Sequence, residues 1–76
     1  MTEPTSYATW SLFKSDPPAT NAVRFATYAE AFAYGNELLS RWMVPIGFDV
    51  RPSDDAVNYT ADLATGVARP LEVSNG

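Results

Sequence analysis

The side chains of this sequence that could carry acid–base or metal chemistry are carboxylates, because the chain contains no histidine and no cysteine. Without histidine there is no Ser–His relay and no imidazole ligand or base near neutral pH. Without cysteine there is no disulfide, no thiolate zinc or iron–sulfur site and no thiol nucleophile. The missing residue types therefore exclude much catalytic and metal-binding chemistry.

The densest acidic group is the pair Asp54 and Asp55, with Asp49 and Asp62 nearby in the sequence. A Ca²⁺ or Mg²⁺ ion would need several oxygen ligands that converge, and no segment follows the spacing of an EF-hand loop. Aspartate is also a common turn former. We interpret Asp54 and Asp55 as turn residues that add solubility, and we predict neither a metal site nor a cofactor.

Enzymatic activity is not expected. Two carboxylates could hydrolyse a glycoside, but that reaction needs a cleft, and a chain of 76 residues with one helix on a small sheet offers little depth. Four serines stand in no recognisable nucleophile motif: Ser11, Ser15, Ser40 and Ser53. The sequence therefore indicates a protein that acts by binding or assembly.

Charge and composition narrow the class of partner. The chain has five Lys and Arg against nine Asp and Glu, a net charge of −4, and 46% hydrophobic residues, which is too apolar for a disordered segment. Its five cations are scattered singly, so no basic stripe is available for nucleic acid or for a membrane surface. No apolar run is long enough to span a bilayer, and the first residues do not have the pattern of a signal peptide. We expect a cytoplasmic protein that binds neither nucleic acid nor membrane.

The clearest local signal is a capping box. Thr27 and Glu30 have the spacing at which a threonine hydroxyl accepts from the N3 amide while the glutamate reaches back to the cap. A helix is predicted from about 28 to 42, with a stripe that contains Phe32 and Gly35 facing a sheet. The glycine on this stripe indicates a close approach between helix and sheet. Glu37 and Arg41 have the spacing of an i,i+4 ion pair.

Period-two alternation predicts strands on both sides of this helix. Residues 7–13 place Ala8, Trp10 and Leu12 on one face, residues 14–21 form a loop around two prolines, and 23–25 form a short second strand. Segments 46–51 and 57–63 alternate in the same way, and a turn at 64–66 with a left-handed Gly66 leads to a short strand at 67–73. The predicted core comprises Trp10, Leu12, Val23, Phe25, Phe32, Leu39, Trp42, Phe48, Val50, Val57 and Tyr59.

These elements predict an α+β fold: a two-layer sandwich in which one amphipathic helix packs on a small, mostly antiparallel sheet. The order is β-β-α-β-β, and a fifth strand is left open. We expect one domain at 7–73, between flexible tails at 1–6 and 74–76.

Two stretches, residues 23–31 and the run 39–59, resemble small uncharacterised proteins of bacteria and bacteriophages. The resemblance covers about residues 23–60 and implies an origin, since those proteins carry no assigned activity. It carries no cofactor and no catalytic residue to this chain.

The leading functional hypothesis is a small acidic protein-binding module, for example a phage-encoded inhibitor of a host or defence protein with a basic surface. The interface candidates are aromatics and surface carboxylates. Tyr7 and Phe13 are expected on the sheet face that the helix leaves uncovered, and Tyr34 is expected on a flank of the helix. The candidates are Tyr7, Phe13, Glu30, Tyr34, Glu37, Asp54 and Asp55.

The alternative is a self-assembling protein that forms a homodimer through an open sheet edge. Residues 7–13 contain neither charge nor proline, whereas 67–73 contain Arg69, Pro70 and Glu72. Edge strands usually carry charged residues or prolines of this kind, which hinder pairing with another chain. The sequence therefore predicts association through the edge of the first strand.

Overall fold

The computed structural model describes residues 4–41 and 45–71, which form one helix and five strands. The strands are β1 Ser6–Leu12, β2 Ala19–Thr20, β3 Gly47–Ser53, β4 Tyr59–Ala61 and β5 Ala68–Pro70, and the helix α1 is Tyr28–Arg41. Antiparallel pairing gives a three-stranded sheet in the order β2-β1-β3 and a separate β4-β5 pair. One helix packed against a small antiparallel sheet confirms the predicted α+β fold.

The two sheets meet at Phe25. Its backbone exchanges two hydrogen bonds with Tyr7, of 2.8 and 2.9 Å, and it also bridges Tyr59 in the parallel sense. The Phe25 side chain is fully buried. The predicted strand at 23–25 is therefore an isolated bridge, and the regular second strand lies at 19–20, inside the predicted loop. Pro17 and Pro18 cannot donate to a strand ladder, but Ala19 can, so strand pairing begins directly after Pro18. The prediction that residues 19 and 20 belong to the loop is therefore wrong.

The helix covers the face of β1 opposite to the predicted one. Thr9 is buried, and its Oγ1 donates a hydrogen bond of 2.7 Å to the Ala31 carbonyl of α1. Trp10 lies on the other face, where the Arg51 guanidinium carbon is 4.7 Å from the centroid of the Trp10 ring. The prediction that Ala8, Trp10 and Leu12 form the helix-covered face is thus wrong. The small Thr9 side chain allows a close helix approach that a tryptophan would prevent.

The orientation of α1 about its own axis also depends on small residues at the contact with the sheet. Ala31 and Gly35 are its buried residues, and a Cβ at Gly35 would overlap the Phe48 ring. Small residues therefore lie over the sheet and place Phe32 on the flank, where it is 45% exposed. The predicted close approach at Gly35 is confirmed, whereas the assignment of Phe32 to the core is wrong. The predicted last turn at 42 lies outside the described residues.

The position of β1 contradicts the prediction that the first strand lies at an edge of the sheet. β1 has β3 on one side and β2 with Phe25 on the other, so it is interior. Its lack of charge and proline reflects burial. Among residues 4–41 and 45–71, no strand pairs with the outer side of β3, so the open edge of the sheet on that side belongs to β3. Ser6 is buried within β1, so the predicted tail at 1–6 is one residue too long, and 1–3 and 74–76 lie outside the described residues.

The β4-β5 hairpin closes over the outer side of α1. Gly66 has φ +74° and its amide donates to the Asp62 carbonyl at 2.7 Å, which confirms the predicted left-handed glycine. A Cβ at Gly66 would also overlap the Ala33 carbonyl, so the turn touches the helix backbone. Both strands are shorter than predicted, and the end of the predicted fifth strand, at 72–73, lies outside the described residues.

Candidate functional site

Two predicted aromatic interface residues, Tyr7 in β1 and Phe13 directly after it, lie on the side of the sheet that the helix covers. Tyr7 is half-buried, and its ring centroid is 6.1 Å from that of Tyr28 in an edge-to-face arrangement. Phe13 is also half-buried, in a depression that Leu38 of α1 helps to line. Both had been expected on the face away from the helix. That expectation is wrong for the same reason as the assignment of Trp10.

Tyr34 lies on the seam between α1 and the bridge at Phe25. Its ring centroid is 5.2 Å from that of Phe25, and its hydroxyl accepts a hydrogen bond of 3.1 Å from Asn21 Nδ2. The Tyr34 side chain is half-buried and packs against the core. These contacts give Tyr34 a structural role at the position where an interface aromatic was predicted.

Glu30 performs the predicted capping function and a second function. Its amide donates to Thr27 Oγ1 at 3.2 Å, and the Thr27 hydroxyl donates to Glu30 Oε1 at 2.9 Å, which confirms the box. Its other oxygen, Oε2, accepts from Thr60 Oγ1 at 2.8 Å and from the Ala61 amide at 3.1 Å. One carboxylate therefore ties the first turn of α1 to β4.

The titration of Glu30 reflects both functions. Partial burial by itself raises the pKa of this carboxyl, but the hydrogen bonds from the hydroxyls of Thr60 and Thr27 and from the amides of Ala61 and Thr27 outweigh it. The net result is a pKa below the ordinary value of 4.5. The ionised carboxylate is thus part of the folded structure.

The other candidate carboxylates are dispersed. Glu37 pairs with Arg41 at 2.7 Å, as predicted, and Asp55 pairs with Arg24 at 3.0 Å. Asp54 is exposed in the turn after β3. Across residues 4–41 and 45–71, no three His, Cys, Asp or Glu side chains are grouped in a way that could hold a metal ion.

Arg24 is the structural residue that the sequence interpretation missed. Besides Asp55, its Nε contacts Ser53 Oγ at 3.2 Å, while its amide donates to Asn58 Oδ1 at 2.7 Å. Asn58 Nδ2 in turn donates to the Ala22 carbonyl at 2.7 Å. This network joins the end of β3 to the segment before β4. A lone arginine in a short sequence motif gives no local signal for it.

The outer edge of β3, along which no described strand pairs, is a candidate binding surface. Residues of an antiparallel strand point their N–H and C=O alternately to each neighbour. Tyr7 directs both groups to Phe25, so its partner across β3, Pro52, directs its backbone outward. By alternation Phe48 and Val50 also direct their N–H and C=O away from β1. Pro52, which has no N–H, occupies a position that fits an edge strand.

A row of aromatic side chains extends from Phe48 of this strand along the flank of α1. The Phe32 ring centroid is 5.1 Å from that of Phe48 and 6.1 Å from that of Tyr28. Tyr28 is 54% exposed, and Ile46, directly before β3, is 69% exposed. We call the outer backbone of β3 from Phe48 to Pro52, together with the side chains of Tyr28, Phe32 and Ile46, the edge surface.

The charges of β3 lie on the face of the sheet away from α1. Asp49 and Arg51 form an ion pair of 3.0 Å there, beside Trp10. Both side chains are substantially exposed. The edge surface therefore has an apolar side along the helix and a paired positive and negative charge on the other side. Pro52 and the two charges were the sequence signals for an edge strand.

The described helix is too short and too polar to cross a lipid bilayer. Comparison of the chain with protein-family models, with curated proteins and with solved structures finds no match. The resemblance to small bacterial and bacteriophage proteins therefore gains no support from these comparisons, and the function must be inferred from the site itself.

Proposed function

We propose that this protein acts by binding another polypeptide through the edge surface, without catalysing a reaction. The observation that carries the proposal is the coincidence of a strand edge without a described partner with the exposed ring of Phe32, which contacts Phe48 of that strand, and the exposed ring of Tyr28 beside it. Unpaired N–H and C=O groups are a template for an added strand, and pockets beside them give such additions specificity. Aromatic residues are enriched at protein interfaces.

The proposal moves the contact away from the carboxylates. Glu30, Glu37 and Asp55 each hold a neighbouring group of their own chain, so binding a basic groove would compete with these bonds. The edge surface needs no such exchange. A host or defence protein bound there would make this chain an inhibitor, and a second copy would make it a self-assembling protein.

Site-specific photo-crosslinking in the producing cell tests the proposal. A photoreactive amino acid replaces Phe32 or Ile46 within the edge surface, and Val67, an exposed apolar residue of the β4-β5 connection on the other flank of the molecule, serves as the matched control. We expect adducts of defined mass from positions 32 and 46 that are absent from position 67. Equal adducts from all three positions, or none from 32 and 46, would contradict the proposal.

A further inference from the structure

We infer that the polypeptide that fits the edge surface is a second copy of this chain, paired antiparallel through β3 about a two-fold axis at Val50. This inference rests on the proposed function, since it uses the same surface. Such pairing would join the two sheets, each in the order β2-β1-β3, into one continuous sheet of six strands. The backbone, the charges and the aromatic row each favour it.

The backbone groups required for this pairing are those that β3 directs outward. With the two-fold axis at Val50, the two Val50 residues exchange both hydrogen bonds, and Phe48 faces Pro52 of the other copy. Each Phe48 N–H then has the Pro52 carbonyl as its acceptor. Because Pro52 offers no N–H, pairing ends there and remains short.

The charges of Asp49 and Arg51 favour the register with the axis at Val50 over the two adjacent registers. With the axis at Val50, Asp49 stands directly opposite Arg51 of the other copy, twice, at positions where side chains come closest. An axis at Asp49 would place two aspartates opposite each other, and an axis at Arg51 would do the same with two arginines. The intrachain pair of 3.0 Å shows that both side chains already lie on one face of the sheet.

The aromatic row explains what the pairing would bury. Thr9 on β1 and Phe48 on β3 both contact α1, so the helix lies above these two strands. With strands about 4.8 Å apart, the two helices would lie about 10 Å from each other, close to ordinary helix packing distance. Tyr28 and Phe32 line the flank that would face the second helix. Their exposure of 54% and 45% in one chain is what such an interface removes.

Charge reversal tests the register. The purified full chain is examined by sedimentation equilibrium as wild type, as Asp49→Lys and as Arg51→Glu. We expect a dimer for wild type, and a dissociation constant at least about tenfold higher for each variant, because both ion pairs become repulsive. An equimolar mixture of the two variants should form a heterodimer of wild-type affinity, since every opposing pair is then attractive.

Matched controls are Asp54→Lys and Arg69→Glu, which make the same changes in charge at exposed positions outside the edge surface. Both should dimerise like wild type. A mixture of Asp49→Lys and Arg51→Glu that stays monomeric, or controls that weaken the dimer equally, would overturn the inference.

Disulfide trapping gives a second measurement that does not depend on charge, because the chain has no cysteine of its own. A mixture of Asp49→Cys and Arg51→Cys should form the mixed disulfide under mild oxidation, since the two Cβ atoms would face each other directly. Asp49→Cys alone should crosslink poorly. Equal crosslinking in all combinations would overturn the register.

The two proposals fail differently. A chain that stays monomeric up to its solubility limit, yet gives adducts with a different protein from positions 32 and 46, overturns the homodimer and leaves the edge surface as a binding site. A chain that neither dimerises nor gives such adducts overturns both.

Discussion

At the scale of single residues, Glu30 carries more of the fold than a helix cap requires. Its Oε1 completes the capping box with Thr27, while its Oε2 receives two donors from β4. A cap mutation would loosen only the helix end. Loss of the Glu30 carboxylate also leaves the Ala61 amide without its acceptor. A substitution of Glu30 and a substitution of the cap residue Thr27 should therefore lower the free energy of unfolding by different amounts.

We therefore predict that Glu30→Gln destabilises the protein more than Thr27→Ala. Thr27→Ala should lower the free energy of unfolding by about 1 kcal/mol, the usual value for a cap. Glu30→Gln should lower it by about 2 kcal/mol, because a glutamine completes the box but offers its NH₂ where two donors need an acceptor. Urea unfolding measures both. Equal losses would mean that the contact with β4 contributes nothing.

The pKa of Glu30 gives a prediction about acid. Its pKa in the folded state lies below the ordinary 4.5, so the unfolded chain takes up the proton first as the pH falls. The stabilisation is complete above the ordinary value and is lost as the pH falls through the lowered pKa. The difference in unfolding free energy between wild type and Glu30→Gln should therefore shrink in the acid window that begins near the ordinary value of 4.5 and extends down through the lowered pKa. A difference that stays constant over this window would contradict the linkage.

At the scale of elements, the fold is held by small residues between helix and sheet and by one large buried ring. Ala31 and Gly35 let α1 approach the sheet, and Phe25 is the large apolar side chain with no exposed surface among those described. Phe32, by contrast, lies on the flank of the helix.

We predict that Phe25→Ala is far more destabilising than Phe32→Ala. The first opens a cavity at the bridge between the sheets and should cost about 3–5 kcal/mol, which is most of the stability expected of so small a domain. The second removes a half-exposed ring and should cost about 1 kcal/mol, measured at a concentration where the chain is monomeric. Thermal unfolding of both variants is the test. The reverse order would mean that the helix is rotated relative to the structure described.

Features that depend on neighbouring residues of the chain were predicted from the sequence, whereas the face of β1 that the helix covers was not. The capping box, the helix and the left-handed Gly66 depend on residues near each other in the chain, and each was predicted correctly. The covered face of β1 was not, because alternation shows that a strand has two faces but not which one the helix meets. Trp10 made the wrong face look like the core. The choice depended on Gly35 and Thr9, which are far apart in sequence.

The order of strands escaped prediction for a related reason. Whether a strand is interior or at an edge depends on pairing partners, and β1 contacts β3 across about forty residues of chain. A segment without charge fits either position. Pro52 was the better indicator, because a proline in a strand requires a side with no neighbour. With the edge moved from β1 to β3, the candidate site moves with it, from Tyr7 and Phe13 to Phe32 and Ile46.

At the scale of the whole molecule, association through β3 would couple folding to concentration. A chain that pairs only when folded is stabilised by its own partner, so its melting temperature rises as the protein is concentrated. A hundredfold rise in concentration adds about 2.7 kcal/mol per dimer, or about 1.4 kcal/mol per chain. For a domain of this size that corresponds to an increase of about 5–10 °C.

We predict this increase for wild type and for the control Asp54→Lys, and a nearly constant melting temperature for Asp49→Lys over the same range. At the lowest concentration all three should melt within a few degrees of each other, because Asp49 lies on the exposed face and its substitution creates no cavity. Differential scanning calorimetry over the dilution series measures both quantities. If Asp49→Lys rises as steeply as wild type, the association uses another surface, and if it melts far lower even when dilute, the ion pair with Arg51 serves the fold of the single chain.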